Sequence, residues 1–244
     1  RLEQKELRRA ASRLSFATMT SLPIQVLWTT LATLILTVCG VNFMGPNTIG
    51  GFPPTAYYLI SSIASFLSIV LPFSFFLFFG KRKLSDTVLV EKNGVLNSVL
   101  LVFAGLAVSV LMNIPANLIS QLLEGAGLNG DANTADLLAL TPVQALTMFA
   151  SVVLVAPVTE EFAFRSVTTA VMRRWGDWPA VIFSALIFGM AHYSIQSLPV
   201  VLMAGFVMAL LYVRTRNIWV NIFVHMLNNL LATLPIALEG LVGA

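Results

Sequence analysis

The sequence predicts an all-α, polytopic transmembrane helical bundle of about seven spans, and three observations carry that prediction. Of 244 residues, 57% are hydrophobic and 10% charged, with a mean hydropathy of +0.87. A soluble domain carries about 25% charged residues, so too little polar surface remains for a water-facing exterior, and a soluble enzyme is excluded. Apolar runs also recur near the roughly 20 residues that a helix needs to cross the hydrocarbon core. Finally, the basic residues fall in alternate loops. The net charge of +3 and the pI near 9.3 therefore report membrane orientation, and no nucleic-acid partner is expected. The one cysteine, Cys39, sits in an apolar run, which excludes a disulfide framework within the chain.

Each span follows from its composition. Residues 22–41 and 56–79 are apolar without a charge. Residues 95–123 form a longer run that contains Asn113 and Asn117, both read as helix-packing groups. Residues 142–172 form the fourth run, yet contain Glu160, Glu161 and Arg165. Residues 178–192 and 198–213 are short spans, and 218–238 is the seventh. Residues 1–21 read as a basic amphipathic lead-in lying on an anionic leaflet. The first span is too long for a signal-peptide core and lacks a small-residue cleavage site, so it is read as retained. Residues 125–140, with Asp131 and Asp136, are the longest outer loop.

Charge then orients the spans. Arg1, Lys5, Arg8, Arg9 and Arg13 precede the first, and Lys81, Arg82, Lys83 and Lys92 separate the second from the third. Arg173 and Arg174 follow the fourth, and Arg214 and Arg216 follow the sixth. These alternate loops hold 13 of the 14 Lys and Arg residues. The positive-inside rule makes the N-terminus cytoplasmic and the C-terminus external.

The fourteenth, Arg165, lies inside a span, as do Glu160, Glu161, His192 and His225. A charge at the membrane centre costs roughly 2.5–3.5 kcal/mol on insertion scales, so such residues are rare and usually functional. Counted from the nearest basic-side polar residue at about 1.5 Å per residue, Glu160, His192 and Asn229 lie about 18–22 Å deep, and Arg165 and His225 about 12 Å. On straight helices this leaves His225 about 8–10 Å below Glu160 and His192. Glu161 and Arg165 stand i,i+4 with the acid first, the favourable order for an ion pair. Glu160 has no local cation and is the candidate general base. His225 and Asn229 share a helix face, as do Phe188 and His192. Singly, each has a plain reading as packing or interhelical glue. Together in one layer they read as a polar reaction cavity.

These residues resemble a known family. Glu160-Glu161-Phe162-Ala163-Phe164-Arg165 is similar to the EExxxR motif of the CPBP (CAAX-protease and bacteriocin-processing, or Abi) family of intramembrane proteases. Phe188 to His192 is similar to its FxxxH motif, and His225 to Asn229 to its HxxxN motif. The motifs occur in the family's order within residues 141–235, a stretch resembling the core of Ras-converting CAAX endopeptidases. The CAAX-cleaving members are usually described with eight helices, one more than the seven spans read here. Within the single membrane domain, charge and hydropathy set off the lead-in 1–21 and N-terminal helices 22–140, and the resemblance marks 141–244 as the catalytic core. It implies that Glu160 activates water held by His192, and that His225 and Asn229 form an oxyanion hole. Glu161, Arg165 and Phe188 would support the site. No cofactor is favoured; the alternative is zinc held by Glu160, His192 and His225, three ligands of suitable type.

The leading reading is an intramembrane endopeptidase cutting a membrane-associated protein or peptide, in the bacterial plasma membrane with the bilayer as its other partner. A catalytically silent scaffold or bacteriocin-immunity protein is the first alternative, and the intact motif set argues against it. A proton-coupled transporter is the second, since buried Glu, His and Arg also build proton relays. It lacks support from any internal repeat. Orientation is checked by accessible tags. Tags at the N-terminus and between Lys81 and Lys83 should be reached only from the cytoplasmic side, and a C-terminal tag only from outside. Any other pattern breaks the seven-span count.

Overall fold

The structure, a computed structural model, describes residues 2–41, 48–49, 52–128, 140–192, 194–195 and 197–242. Among these the chain is helical. The helices are α1 (Leu2–Val38), α2 (Pro54–Phe79), α3 (Val95–Gly125), α4 (Pro142–Trp175), α5 (Asp177–Met190), α6 (Leu198–Thr215) and α7 (Ile218–Val242). Six are long and apolar enough to cross a membrane, and α5 is a shorter apolar helix of 14 residues. From the second span onward the boundaries match the sequence expectation to within a few residues. Most of the expected outer loop, residues 129–139 with Asp131 and Asp136, lies outside the described residues.

The N-terminal segment differs. The basic lead-in and the first span are one continuous helix, α1. Ala10, Leu14 and Ala17 are buried and pack in one cluster with Phe73, Phe76 and Leu77 of α2. Their spacing of four and three residues makes an apolar stripe along one helix face. That stripe is a helix-packing face in the fold.

Helix α4 starts with a reciprocal cap. Thr141 Oγ1 accepts from the Gln144 amide, Gln144 Oε1 accepts from the Thr141 amide at 2.9 Å, and Pro142 occupies the first turn. It then departs from regular α-geometry in two π segments, Phe149–Val155 and Glu161–Thr168. The first ends two residues before Pro157, just as the π segment Phe66–Val70 of α2 ends two residues before Pro72. A proline ring clashes with the carbonyl four residues earlier, and local widening relieves it. Carbonyls in such segments need other donors, because hydrocarbon supplies none. Here Asn229 Nδ2 donates to Val152 O (2.9 Å), Thr168 Oγ1 to Ala163 O (3.0 Å) and Ser184 Oγ to Phe164 O (2.8 Å). Thr169 Oγ1 donates to Arg165 O.

The loops carrying the basic residues meet at one end of the bundle, as their alternation along the chain requires. Val90 and Asn217 form an isolated backbone bridge, Asn217 Nδ2 donates to Glu91 O (2.9 Å), and Arg216 Nε pairs with Glu91 Oε1 (2.9 Å). Arg9, Arg13, Arg82 and Arg174 line one cavity at this end.

Glycines set how closely α5 and α6 approach. A Cβ on Gly205 of α6 would stand 2.8 Å from Phe188 Cδ1, and one on Gly189 of α5 would stand 2.7 Å from Leu202 Cδ2. Small residues permit this contact, the usual means of close helix packing in membranes. Gly205→Ala should therefore overpack the contact and destabilise the protein by about 1–3 kcal/mol. A thermal-melt comparison in detergent checks this, and an unchanged Tm would mean that α6 can shift freely.

Candidate active site

Burial forces the two charges of α4 together. Arg165 Nη1 lies 3.3 Å from Glu161 Oε1, and both side chains have zero exposure. Sequence spacing predicts this pair, and the fold adds partners from three other helices. His225 Nδ1 of α7 stands 2.9 Å from Glu161 Oε1. Asn221 Nδ2, one turn earlier on α7, donates to Glu161 Oε2 (3.3 Å) and to Met208 O of α6 (2.6 Å). Arg165 Nη2 donates to Gly205 O at 3.5 Å, and its guanidinium carbon sits 4.1 Å from the centre of the Phe188 ring of α5. Both oxygens of Glu161 are thus engaged.

Glu160 is in a different state. Its side chain is 14% exposed, and Oε2 is buried without a hydrogen-bond partner. His225 is close by, with Nε2 3.8 Å from Glu160 Oε2. His225 therefore stands between the two glutamates, one on each ring nitrogen. This corrects the expectation that His225 sits about 8–10 Å below Glu160, which assumed straight regular helices. The stretch of α4 between Glu160 and Arg173 contains the π segment Glu161–Thr168, so counting at a regular helical rise does not give its depth.

Phe188 is the hub of an aromatic cluster. Its ring centre lies 4.8 Å from that of His192, 5.7 Å from that of His225 and 5.6 Å from that of Phe164, each in an edge-to-face arrangement. His192, at the end of α5, is exposed, and its Nδ1 lies 2.9 Å from Phe188 O. A carbonyl can only accept, so Nδ1 carries the proton and Nε2 of the neutral ring is an acceptor. Asn229 is half-buried on α7, one turn beyond His225, with one amide hydrogen given to Val152 O.

The structure thus brings Glu160, Glu161, Arg165, Phe188 and His225 together, with His192 attached through Phe188. Two contributors escape the sequence reading. Asn221 continues the i,i+4 series Asn221, His225, Asn229, and extending that stripe one turn back finds it. Gly205 acts through its backbone carbonyl, which carries no sequence signal. Among the described residues, no three His, Cys, Asp or Glu side chains are gathered so as to hold a metal ion. Of the three residues in the zinc alternative, Glu160, His192 and His225, the last turns Nε2 toward Glu160 at 3.8 Å while its Nδ1 is held by Glu161.

Arg165→Ala should lower stability by about 3–5 kcal/mol, since it strands a buried carboxylate. Asn221→Ala removes only a neutral partner and should cost about 1–3 kcal/mol. Expression level and thermal melts of both variants check the order. A fully stable Arg165→Ala protein would sink the ion-pair account.

Residues 142–231 match the family model described as "Type II CAAX prenyl endopeptidase Rce1-like". Among curated proteins, "Putative membrane peptidase YdiL" of Bacillus subtilis (strain 168) is 29% identical over 140 residues, covering 57% of this chain and 57% of that relative. The match therefore spans little more than half of the relative's length. No solved structure matches. The matched segment runs from the first turn of α4 into α7 and contains all seven site residues predicted from the sequence. Residues 142–231 match the Rce1-like CAAX endopeptidase family, the CPBP relationship that the EExxxR, FxxxH and HxxxN motifs indicate.

Proposed function

We propose that this chain is an intramembrane endopeptidase that hydrolyses a peptide bond of a membrane-associated protein or peptide, using water activated by Glu160 without a metal. One observation carries the reading. Of two adjacent glutamates, Glu161 has both oxygens engaged, while Glu160 keeps a buried oxygen without a partner facing His225. The first is a structural anion and the second has a free lone pair for a proton.

Glu160 accepts a proton from water as the water oxygen attacks the scissile carbonyl. His192 Nε2, left as an acceptor by the Nδ1 contact to Phe188 O, takes the second hydrogen bond of that water. His225 donates Nδ1–H to Glu161, so Nε2 can donate to the developing oxyanion when the ring carries its second proton. Asn229 retains a second amide hydrogen for the same oxygen. Each such donor is worth a few kcal/mol of barrier. The proton held by Glu160 then passes to the leaving amine, giving a carboxylate and a free amine terminus. A cavity of about 460 Å³ walled by α1, α2, α4 and α5 reaches Phe164 and Ala191, beside His192, and offers a side approach from the bilayer. The proposed setting is the plasma membrane of a bacterium, with the basic end of the bundle cytoplasmic.

The test uses the full chain in nanodiscs with a farnesylated CAAX peptide and its unprenylated counterpart, with released tripeptide read by mass spectrometry. Glu160→Gln should lower cleavage by about 10²–10⁴-fold, the usual size of a general-base contribution, with Tm unchanged. Near-normal cleavage by that variant would remove Glu160 from the role. Activity should also survive exhaustive chelation. Stoichiometric zinc in the purified protein, with activity lost on its removal and restored on its return, would replace the metal-free step with a zinc mechanism.

A further inference from the structure

A second feature lies at the basic end of the bundle, away from the glutamates. A cavity of about 840 Å³ opens there between the start of α1, the end of α2 with its following loop, and the end of α4. Six cations line it: Arg9, Arg13, Lys81, Arg82, Lys83 and Arg174. Glu6 and Asp86 are the acids on its wall. Among the described residues none of the six cations is in an ion pair. Burial, together with the facing guanidiniums of Arg174 and Arg13, pushes the Arg82 pKa below its ordinary value. Three segments far apart in sequence thus converge like charges on one concavity, an arrangement that repels itself unless an anion occupies it.

The cavity continues into an apolar groove of about 610 Å³, with Arg13, Phe76 and Phe79 shared by both. Phe16, Ala17, Leu71 and Phe75 complete the groove walls between α1 and α2. A basic head space joined to an apolar channel along two membrane helices matches one kind of ligand in shape and charge. A free phosphate has nothing to place in the groove. A zwitterionic lipid would bring its own cation toward the cluster.

We propose that this joined cavity binds an anionic phospholipid, with its phosphate among Arg13, Arg82 and Arg174 and an acyl chain in the groove between α1 and α2. The lipid would relieve the repulsion among the three arginines and tie α1 to α2 at their basic ends. Retention of such a lipid draws on the charge and the chain together, and polybasic attraction grows with each Lys or Arg near the headgroup.

Native mass spectrometry of the full chain in detergent tests this, with dioleoyl phosphatidylglycerol or dioleoyl phosphatidylcholine added at equal concentration. The wild-type protein should retain phosphatidylglycerol about tenfold more than phosphatidylcholine, and the ratio should fall as salt is raised. The double variant R82Q/R174Q should bring the ratio close to one. The variant K5Q/R8Q, which removes as many charges from α1 outside the cavity, should leave it unchanged. The salt titration uses unaltered protein, so the test does not depend on the variants folding. Equal retention of the two lipids, a preference insensitive to salt, or a preference kept by R82Q/R174Q would overturn the proposal. Displacement of phosphatidylglycerol by an equal concentration of glycerol 1-phosphate would assign the cavity to free phosphate and overturn it as well.

Discussion

The fully buried pair of Glu161 and Arg165 is the constraint on which the rest of the core depends. Taking one ion out of water costs several kcal/mol even after relaxation, and attraction repays that only with good geometry and further hydrogen bonds. The fold supplies them from every helix of the matched segment: Asn221 and His225 from α7, the Gly205 carbonyl from α6 and the Phe188 ring from α5. Four helices are thereby held in register by one charge pair. A hydrophobic replacement could fill the volume, but it would release the four helices from this common reference point.

The same constraint explains why two neighbouring glutamates have opposite fates. Glu161 begins the π segment Glu161–Thr168 and lies wholly inside the helix cluster, where Arg165, His225 and Asn221 surround it. Glu160 precedes that segment and keeps contact with solvent space at 14% exposure. Chemically identical side chains, one residue apart, are sorted by the packing of their helix alone. One carboxylate is committed to its partners and the other keeps an oxygen without a hydrogen bond.

Much of this was legible in the sequence. The helical class, the boundaries from the second span onward and the convergence of the basic loops at one end follow from hydropathy and charge alternation, because the membrane leaves the chain few alternatives. The Glu161–Arg165 pair was legible from i,i+4 spacing. Depth was not. Counting residues at a fixed rise placed His225 well below Glu160, whereas the two come within 3.8 Å. The count from Arg173 up to Glu160 crosses the π segment Glu161–Thr168, whose carbonyls are taken up by the Thr168 and Ser184 hydroxyls, a tertiary balance with no simple periodicity. The packing of α1 on α2 was not legible either. A stripe of Ala10, Leu14 and Ala17 looks the same whether lipid or a row of phenylalanines covers it.

Phe188 shows why the structural and chemical halves of the site cannot be separated. One face-directed contact takes the Arg165 guanidinium at 4.1 Å, a cation–π interaction worth about 2 kcal/mol where water is excluded. The same ring makes edge contacts to His192 and His225, and its backbone carbonyl fixes which nitrogen of His192 carries a proton. Leucine would fill similar space, yet it has no quadrupole to hold the guanidinium and no plane to orient two imidazoles. Arg165 in turn holds Glu161, which holds Nδ1 of His225, which aims Nε2 at Glu160. The line from Phe188 to Glu160 therefore runs through Arg165, Glu161 and His225, each positioned by the one before. The free carboxylate owes its place to a chain of contacts that begins on an aromatic ring of another helix.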